Sequence, residues 1–198
     1  MEITVESIRD QLPYYLTQEM KAGIVEELKK FPSGMQYFLT RQYLTEMLQG
    51  DGWTRLHLRN FANGDKIFVN GVILSNTCDV TPENVRDLPV NIVFAPLIAL
   101  DAYIRRLEMA GVPKPNIDDK VASIRQQRIT NLFYVPAGGG LDADHIVLLD
   151  DIHTMPAKVY EEEKGKGKIF TLSQSGFYLF ILKLSIHFCR FHENLARA

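Results

Sequence analysis

The sequence lacks most of the features that mark a specialised class of protein. Its two cysteines, Cys78 and Cys189, are too few for a disulfide scaffold, and their spacing matches no metal-binding knuckle. Basic residues (22) and acidic residues (24) nearly balance, so no overall charge indicates nucleic-acid or membrane binding. The most apolar run, 177–191, is interrupted by Lys183 and Arg190. It is also shorter than the ~20 apolar residues that a membrane-spanning helix needs.

The sequence also predicts no secretion signal, no cofactor and no metal site. The N-terminus has no basic segment followed by an apolar run, so no secretory signal is expected. We therefore expect a cytoplasmic protein without membrane contact. No pattern predicts a cofactor. No metal is expected either, because His187, Cys189 and His192 would point in different directions from a helix.

The bulk composition, 46% hydrophobic and 23% charged, is that of an ordinary globular protein. Residues 1–50 show helical spacing of apolar residues, which predicts one helix that ends near residue 31 and a short second one from about Thr40 to Gly50. From Trp53 the apolar period changes to two, which is typical of strands. Strands are predicted at 53–61, 67–69, 72–75, 91–95, 132–135 and 146–149. Asn70-Gly71 is interpreted as the turn of a hairpin between the second and third strands.

The remaining segments alternate between helix and hairpin. Helical spacing predicts helices over 97–109, 118–127 and 175–195. Segments 157–162 and 168–172 are interpreted as a second hairpin around a turn rich in lysine and glycine. The glutamates and lysines beside that turn are interpreted as a solvated run of charges.

Two stretches carry motifs of a known kind. The first begins Gly64-Asp65-Lys66-Ile67-Phe68-Val69 and continues to Ser75-Asn76, and the second runs from Gly140-Leu141 to Ile152-His153-Thr154. Their order and content resemble the PemK/MazF-like family of bacterial toxins over less than half of the chain. The resemblance implies an α+β fold with a small SH3-like β-barrel. It would comprise an N-terminal helical appendage (1–50) and a barrel (51–198) with a helical insertion (98–128) and a C-terminal helix.

The same resemblance implies that the toxin chemistry has been lost. The family's phosphate-holding arginine corresponds to Asn70-Gly71, and its hydroxyl residue corresponds to Ile98. Phosphoryl transfer depends on such charge stabilisation. We therefore expect a non-catalytic or regulatory barrel protein from a prokaryotic toxin–antitoxin or phage-defence locus. It would bind a nucleic acid or a protein partner encoded nearby. The alternative is a ribonuclease with a relocated active site, whose candidate residues are Ser75, Cys78, Asp79, Arg128 and Thr130.

Two surfaces are candidates for binding. Basic side chains on or before two strands could follow the phosphates of RNA or DNA; they are Arg55, His57, Arg59, Arg125 and Arg128. The alternative is that these charges protect an edge strand, since no aromatic residue interleaves with them. The C-terminal helix is apolar on most sides, which predicts a homodimer interface or cover by residues 1–50. The predicted interface residues are Phe177, Phe180, Ile181, Leu184 and Phe188.

Overall fold

A computed structural model describes residues 17–31, 34–40, 43, 45–60, 62–81 and 87–188. These residues have an α+β architecture, which confirms the predicted fold class at that level. The strands are β1 (Gly52–Arg59), β2 (Lys66–Ile73), β3 (Asn91–Ala99), β4 (Leu132–Val135), β5 (His145–Leu148), β6 (His153–Pro156) and β7 (Lys168–Phe170). The helices are α1 (Gln18–Lys29), α2 (Thr77–Val80), α3 (Leu100–Met109), α4 (Lys114–Arg125), α5 (Ala157–Glu161) and α6 (Gln174–Phe188).

The strands form one antiparallel sheet in the order β4-β5-β3-β2-β1-β7, and β6 pairs with β3 beside this path. The long strand β3 has two partners on one edge, because its first half pairs with β6 and its last three residues pair with β5. Within the described part of the chain the outer strands β4 and β7 do not pair with each other, so the sheet is not closed.

The predicted hairpin at Asn70-Gly71 is wrong, because these residues continue β2 without a break. Gly71 pairs with Trp53 on one side and with Pro96 on the other. A Cβ at Gly71 would lie 2.8 Å from Leu56 Cδ1 and 2.9 Å from the Ala95 oxygen. The glycine therefore serves close packing between strands rather than a turn. The turn between β1 and β2 includes residues 62–65 instead, and the Asn60 nitrogen donates to the Asp65 carbonyl (2.8 Å) across it.

Three other predicted elements differ from the structure. The strand predicted at 157–162 is helix α5. The short helix predicted to end at Gly50 is absent from the described residues 43 and 45–50, which form turns and irregular backbone. Strand β3 continues to Ala99 where a helix was predicted from residue 97, because Leu97 and Ile98 pair with β5. The predicted end of the last helix at residue 195 lies outside the described residues.

The main apolar core lies between α6 and the sheet. Phe180 is fully buried and packs against Phe133, with ring centroids 5.1 Å apart. The segment before β1 belongs to this core, because Tyr37 is buried and accepts a backbone hydrogen bond from Ser173 (2.8 Å). Helices α3 and α4 cover β3, β4 and β5 with a separate cluster that includes Leu100 and Ile124.

A buried ion pair fixes β7 beside the start of β1. Lys168 Nζ lies 2.6 Å from Asp51 Oδ2, and both side chains are almost completely buried. Asp51 also accepts a hydrogen bond from the Leu48 backbone (2.9 Å), while Lys168 donates to Thr171 Oγ1 (3.1 Å). Burial raises the pKa of Asp51, and Lys168 opposes that shift. The free energy of folding therefore depends on both partners being present.

We expect Asp51→Ala to lower the free energy of unfolding by about 3–5 kcal/mol, because it leaves the Lys168 cation buried without its carboxylate. Urea denaturation would measure the loss. Asp119→Ala, at an exposed position on α4, is the matched control and should change stability by less than about 0.5 kcal/mol. The double variant Asp51→Leu/Lys168→Met should recover most of the loss. A cost below about 1 kcal/mol for Asp51→Ala would contradict this interpretation.

Helix α6 carries a second buried cation. Lys183 is 1% exposed and donates a hydrogen bond to the Gln127 carbonyl. Burial lowers the pKa of Lys183 from 10.5 to about 8. Burial acts in the opposite direction on tyrosines: it raises the pKa of Tyr134 to about 12 and raises the pKa values of Tyr37 and Tyr160 as well.

These shifts predict a maximum of stability near pH 10. From pH 8 to 10 the unfolded chain keeps a proton on Lys183 that the native chain releases, so the free energy of unfolding should rise by on the order of 2 kcal/mol. Above pH 10 it should fall, because the native tyrosines keep protons that the unfolded chain loses. Urea denaturation from pH 7 to 11 would show both slopes. Lys183→Met should abolish the rise and keep the fall above pH 10. A rise that persists in this variant would show that Lys183 does not cause it.

Candidate nucleic-acid interface

The hairpin of β1 and β2 presents a basic face with an aromatic residue in its middle. His57 pairs with Phe68 and Arg59 pairs with Lys66 across the two strands. Because directly opposed residues share one face of a sheet, these side chains stand together. The other face turns Leu56, which is fully buried, toward the core. We call the outward set the basic ribbon; it consists of Arg55, His57, Arg59, Lys66 and Phe68.

A β-bulge directs Arg55 onto this face. The register of β1 and β2 shifts between Trp53 and Leu56, and Arg55 has a left-handed backbone with φ of +58°. Such a conformation is costly for a residue with a side chain. In this conformation the Arg55 guanidinium carbon lies 4.2 Å from the centre of the Phe68 ring, and Lys66 Nζ lies 5.1 Å from it. Two cations therefore lie close to the Phe68 ring, as in a cation–π arrangement.

Glu163, in the connection between α5 and β7, closes the basic ribbon at one end. Its Oε1 lies 2.7 Å from Arg55 Nη2, and its Oε2 lies 2.8 Å from His57 Nε2. The hydrogen bond from Arg55 is the main cause that lowers the pKa of Glu163, with His57 adding to it. The carboxylate is thus ionised, and it holds Arg55 and the largely buried His57 side chain in fixed positions beside Phe68.

The remaining charge on the ribbon is positive. Arg59 and Lys66 are exposed, and the structure assigns neither of them a carboxylate partner among the described residues. The Phe68 side chain is 44% exposed, which leaves part of the ring accessible. Cations that can bind phosphates beside an accessible aromatic ring are the two elements of a surface for single-stranded nucleic acid.

The structure brings together part of the predicted basic set. Arg55, His57 and Arg59 lie on the ribbon, whereas Arg125 and Arg128 lie at the end of α4 near β4. In the sheet β4 is separated from β1 by β5, β3 and β2. Arg125 also pairs with Asp144, with Nη2 and Oδ2 2.9 Å apart. These two arginines therefore do not extend the ribbon.

The candidate residues for a relocated ribonuclease site fall into two groups. Ser75, Cys78 and Asp79 follow β2, and Ser75 Oγ accepts a hydrogen bond from the Val93 backbone (2.7 Å). Arg128 and Thr130 precede β4, which β3 and β5 separate from β2 in the sheet. The structure therefore shows no single constellation that contains all five.

The predicted interface helix α6 is partly occupied within its own chain. Phe180 belongs to the core, as described above, while Phe177, Ile181 and Leu184 are partly buried against it. Phe188, at the end of the helix, is 57% exposed. The apolar face of α6 is thus largely covered by the sheet and by a group of apolar side chains that precede β1: Val25, Phe31, Met35, Tyr37 and Phe38.

Two residues of the site were not anticipated from the sequence. Phe68 was predicted to lie on a strand, but not to pair with His57. Glu163 was interpreted as part of a solvated charge run. The signal that could have identified Phe68 is the turn sequence Asn63-Gly64-Asp65, which makes the strand of Phe68 the hairpin partner of the strand with the basic residues.

No family model matches the chain, and no curated protein matches it significantly. Over the residues that the structure describes, no three histidine, cysteine, aspartate or glutamate side chains meet in a group that could hold a metal ion. None of the helices in the described segments is long and apolar enough to cross a membrane.

Proposed function

We propose that this protein binds single-stranded nucleic acid through the basic ribbon and acts as a non-catalytic or regulatory protein. The observation that supports this most directly is the exposed Phe68 ring on the outward face of the sheet, with the cations of Arg55 and Lys66 within 5.1 Å of its centre. A base can stack on an accessible aromatic ring only when it is unpaired, so the ribbon favours single strands over a duplex.

Affinity is expected to be moderate and to depend on salt. The whole chain has a formal net charge of −2, so long-range attraction of a polyanion is absent. Binding then rests on local contacts of Arg55, Arg59 and Lys66 with phosphates. Glu163 opposes it, because its carboxylate already occupies Arg55 and His57. A phosphate that reaches Arg55 competes with that carboxylate.

We also propose that the protein resembles the PemK/MazF-like family and folds as an SH3-like barrel. The curvature of the sheet supports this. Strand β6 pairs with β3, yet it also reaches β1, because the His57 backbone nitrogen donates to Met155 Sδ (3.5 Å). Both strands enclose a common apolar cluster with Trp53 and Phe94. We further propose a cytoplasmic homodimer from a prokaryotic toxin–antitoxin or phage-defence locus, with a possible protein partner encoded nearby. RNA is the favoured ligand under this resemblance.

A ribonuclease is the second candidate, and the Glu163 cluster favours it. Cleavage of RNA by attack of its 2′-hydroxyl needs a proton acceptor, a proton donor and a cation for the phosphate. The carboxylate of Glu163 lies within hydrogen-bond distance of both the His57 imidazole and the Arg55 guanidinium. This set differs from the one that the sequence suggested.

The first test is the binding of a mixed-sequence single-stranded RNA of twelve nucleotides, followed by fluorescence anisotropy. Phe68→Ala should weaken binding about 10- to 100-fold, because one base–aromatic stack contributes ~1–3 kcal/mol. Lys66→Gln should reduce the slope of log affinity against log salt by about 0.7, the value for one phosphate contact on a single strand. Glu163→Gln should strengthen binding, since it removes the competing charge and keeps hydrogen-bond acceptors.

Arg105→Gln, at an exposed position on α3, is the matched control and should leave both affinity and slope unchanged. Equal binding by wild type, Phe68→Ala and Lys66→Gln would contradict the proposal. The same RNA, run on a gel after incubation with a metal chelator, separates the two functions. Cleavage that His57→Ala abolishes would establish the ribonuclease, and intact RNA would support binding without catalysis.

A further inference from the structure

A second candidate site lies on the core side of β1. A pocket of about 150 Å³ is enclosed by β1, α5 and the residues before β1. Pockets for drug-sized ligands or cofactors run from about 300 to 1,000 Å³. The pocket therefore suits one ring system rather than a whole cofactor.

Aromatic and aliphatic side chains form the walls of this pocket. Trp53 and Tyr160 meet edge to face, with ring centroids 6.1 Å apart and ring planes at 87°. Met47, Val80 and Ile92 complete the apolar lining. A flat ring that enters the pocket contacts two aromatic side chains of fixed orientation. Tyr160 is held in place because its hydroxyl donates to the Thr54 carbonyl (2.9 Å).

The rim of the pocket carries charges of both signs. Lys166 Nζ donates to the carbonyls of Tyr160 (2.9 Å) and Glu161, and a lysine ammonium has three hydrogens to donate. The carboxylate of Glu46 accepts from Thr45, whereas the structure shows no hydrogen bond to the Glu161 carboxylate within the described residues. In addition, the buried indole nitrogen of Trp53 finds no acceptor in the described part of the chain.

We infer that this pocket binds a guanine base, with Glu161 and Lys166 at its polar edges and Trp53 and Tyr160 against its ring. Guanine carries two adjacent donors, N1–H and the N2 amino group, which match the two oxygens of one carboxylate. Its O6 and N7 are acceptors, which match a lysine ammonium. One acidic and one basic side chain at the same rim thus fit the two kinds of edge that guanine presents.

The other bases match this rim less well. Adenine, cytosine and uracil each present at most one donor group on the pairing edge, so the carboxylate would face an acceptor as well. A carboxylate next to a base acceptor is repelled, and the acceptor then lacks a hydrogen bond, which lowers the affinity. We therefore expect the site to discriminate guanine from adenine rather than to accept any purine.

This inference deepens the proposed function. It rests on that function only for the statement that the guanine belongs to RNA. Trp53 of the pocket and Arg55 of the basic ribbon are two residues apart on β1 but lie on opposite faces of the strand, so the pocket and the ribbon are tested as separate sites. The guanine could equally belong to a free nucleotide. The experiment therefore uses guanosine monophosphate and RNA in separate arms.

Trp53 is the only tryptophan of the chain, so its fluorescence reports the pocket directly. We expect guanosine monophosphate to quench this fluorescence with saturation, and to bind at least tenfold more tightly than adenosine monophosphate. Glu161→Gln should weaken guanosine monophosphate binding at least tenfold and remove the preference. Glu162→Gln, at the next exposed position, is the matched control and should behave like wild type. Calorimetry with the same two nucleotides provides a second readout, and circular dichroism checks the folding of each variant.

The two arms distinguish the failure of one proposal from the failure of the other. Phe68→Ala should leave guanosine monophosphate binding intact while it weakens RNA binding. If the nucleotide binds with these preferences but no RNA binds, the ribbon proposal fails and the pocket takes a free nucleotide. If RNA with one guanine binds no better than RNA without guanine, and guanosine monophosphate gives neither quenching nor heat, the guanine site is refuted while the ribbon proposal stands.

Discussion

The β-bulge in β1 is the constraint on which both candidate sites depend. Without it, Trp53, Arg55 and His57 would all lie on one face of a regular strand, because side chains alternate strictly along it. The bulge adds one residue, which places Trp53 in the core and Arg55 on the opposite side over Phe68. Bulges of this kind occur often beside functional sites, where they redirect a side chain. The left-handed backbone of Arg55 is the local cost of that arrangement.

Thr54, the residue within the bulge, connects these two sites to the segment that completes them. Its backbone nitrogen donates to the Gly167 carbonyl (2.9 Å), and its hydroxyl accepts from the Gly167 nitrogen (2.9 Å). Its carbonyl accepts from the Tyr160 hydroxyl (2.9 Å). The hydrogen bonds of Thr54 thus hold both α5 and the start of β7 against β1. The connection between α5 and β7 carries Glu163 to the ribbon and Lys166 to the pocket, so the two sites share one support.

Local pattern was sufficient for the elements whose period was clear. The alternation around Leu56 predicted β1, and the strands β4 and β5 and the helix α4 followed in the same way. Local pattern failed where the same residue type occurs both in turns and at close contacts between strands. Asn70-Gly71 suits a turn, yet Gly71 is needed where Leu56 and Ala95 approach closely. Such an approach depends on neighbouring strands, and a single segment holds no information about them.

In the candidate site, too, local pattern predicted the residues of one strand but not their partners from other segments. Arg55, His57 and Arg59 were predicted together because they alternate on one strand. Their partners Phe68 and Glu163 come from other parts of the chain, and only the pairing of β1 with β2 and the hydrogen bonds of Thr54 bring them near. A bulge leaves no mark in a hydrophobic pattern, since it shifts the register by one residue without changing composition. The long-range contacts that build the site were therefore not predictable from local sequence.

The central claim is that the left-handed backbone at Arg55 costs stability and places the Arg55 side chain where it binds nucleic acid. Arg55→Gly tests this claim most directly. Glycine adopts the left-handed backbone without a steric cost, so the free energy of unfolding should stay within about 1 kcal/mol of wild type. Affinity for single-stranded RNA should nevertheless fall at least tenfold, with a smaller dependence on salt. Urea denaturation and anisotropy on the same preparation provide both values. A variant that loses several kcal/mol of stability yet still binds RNA like wild type would contradict the account.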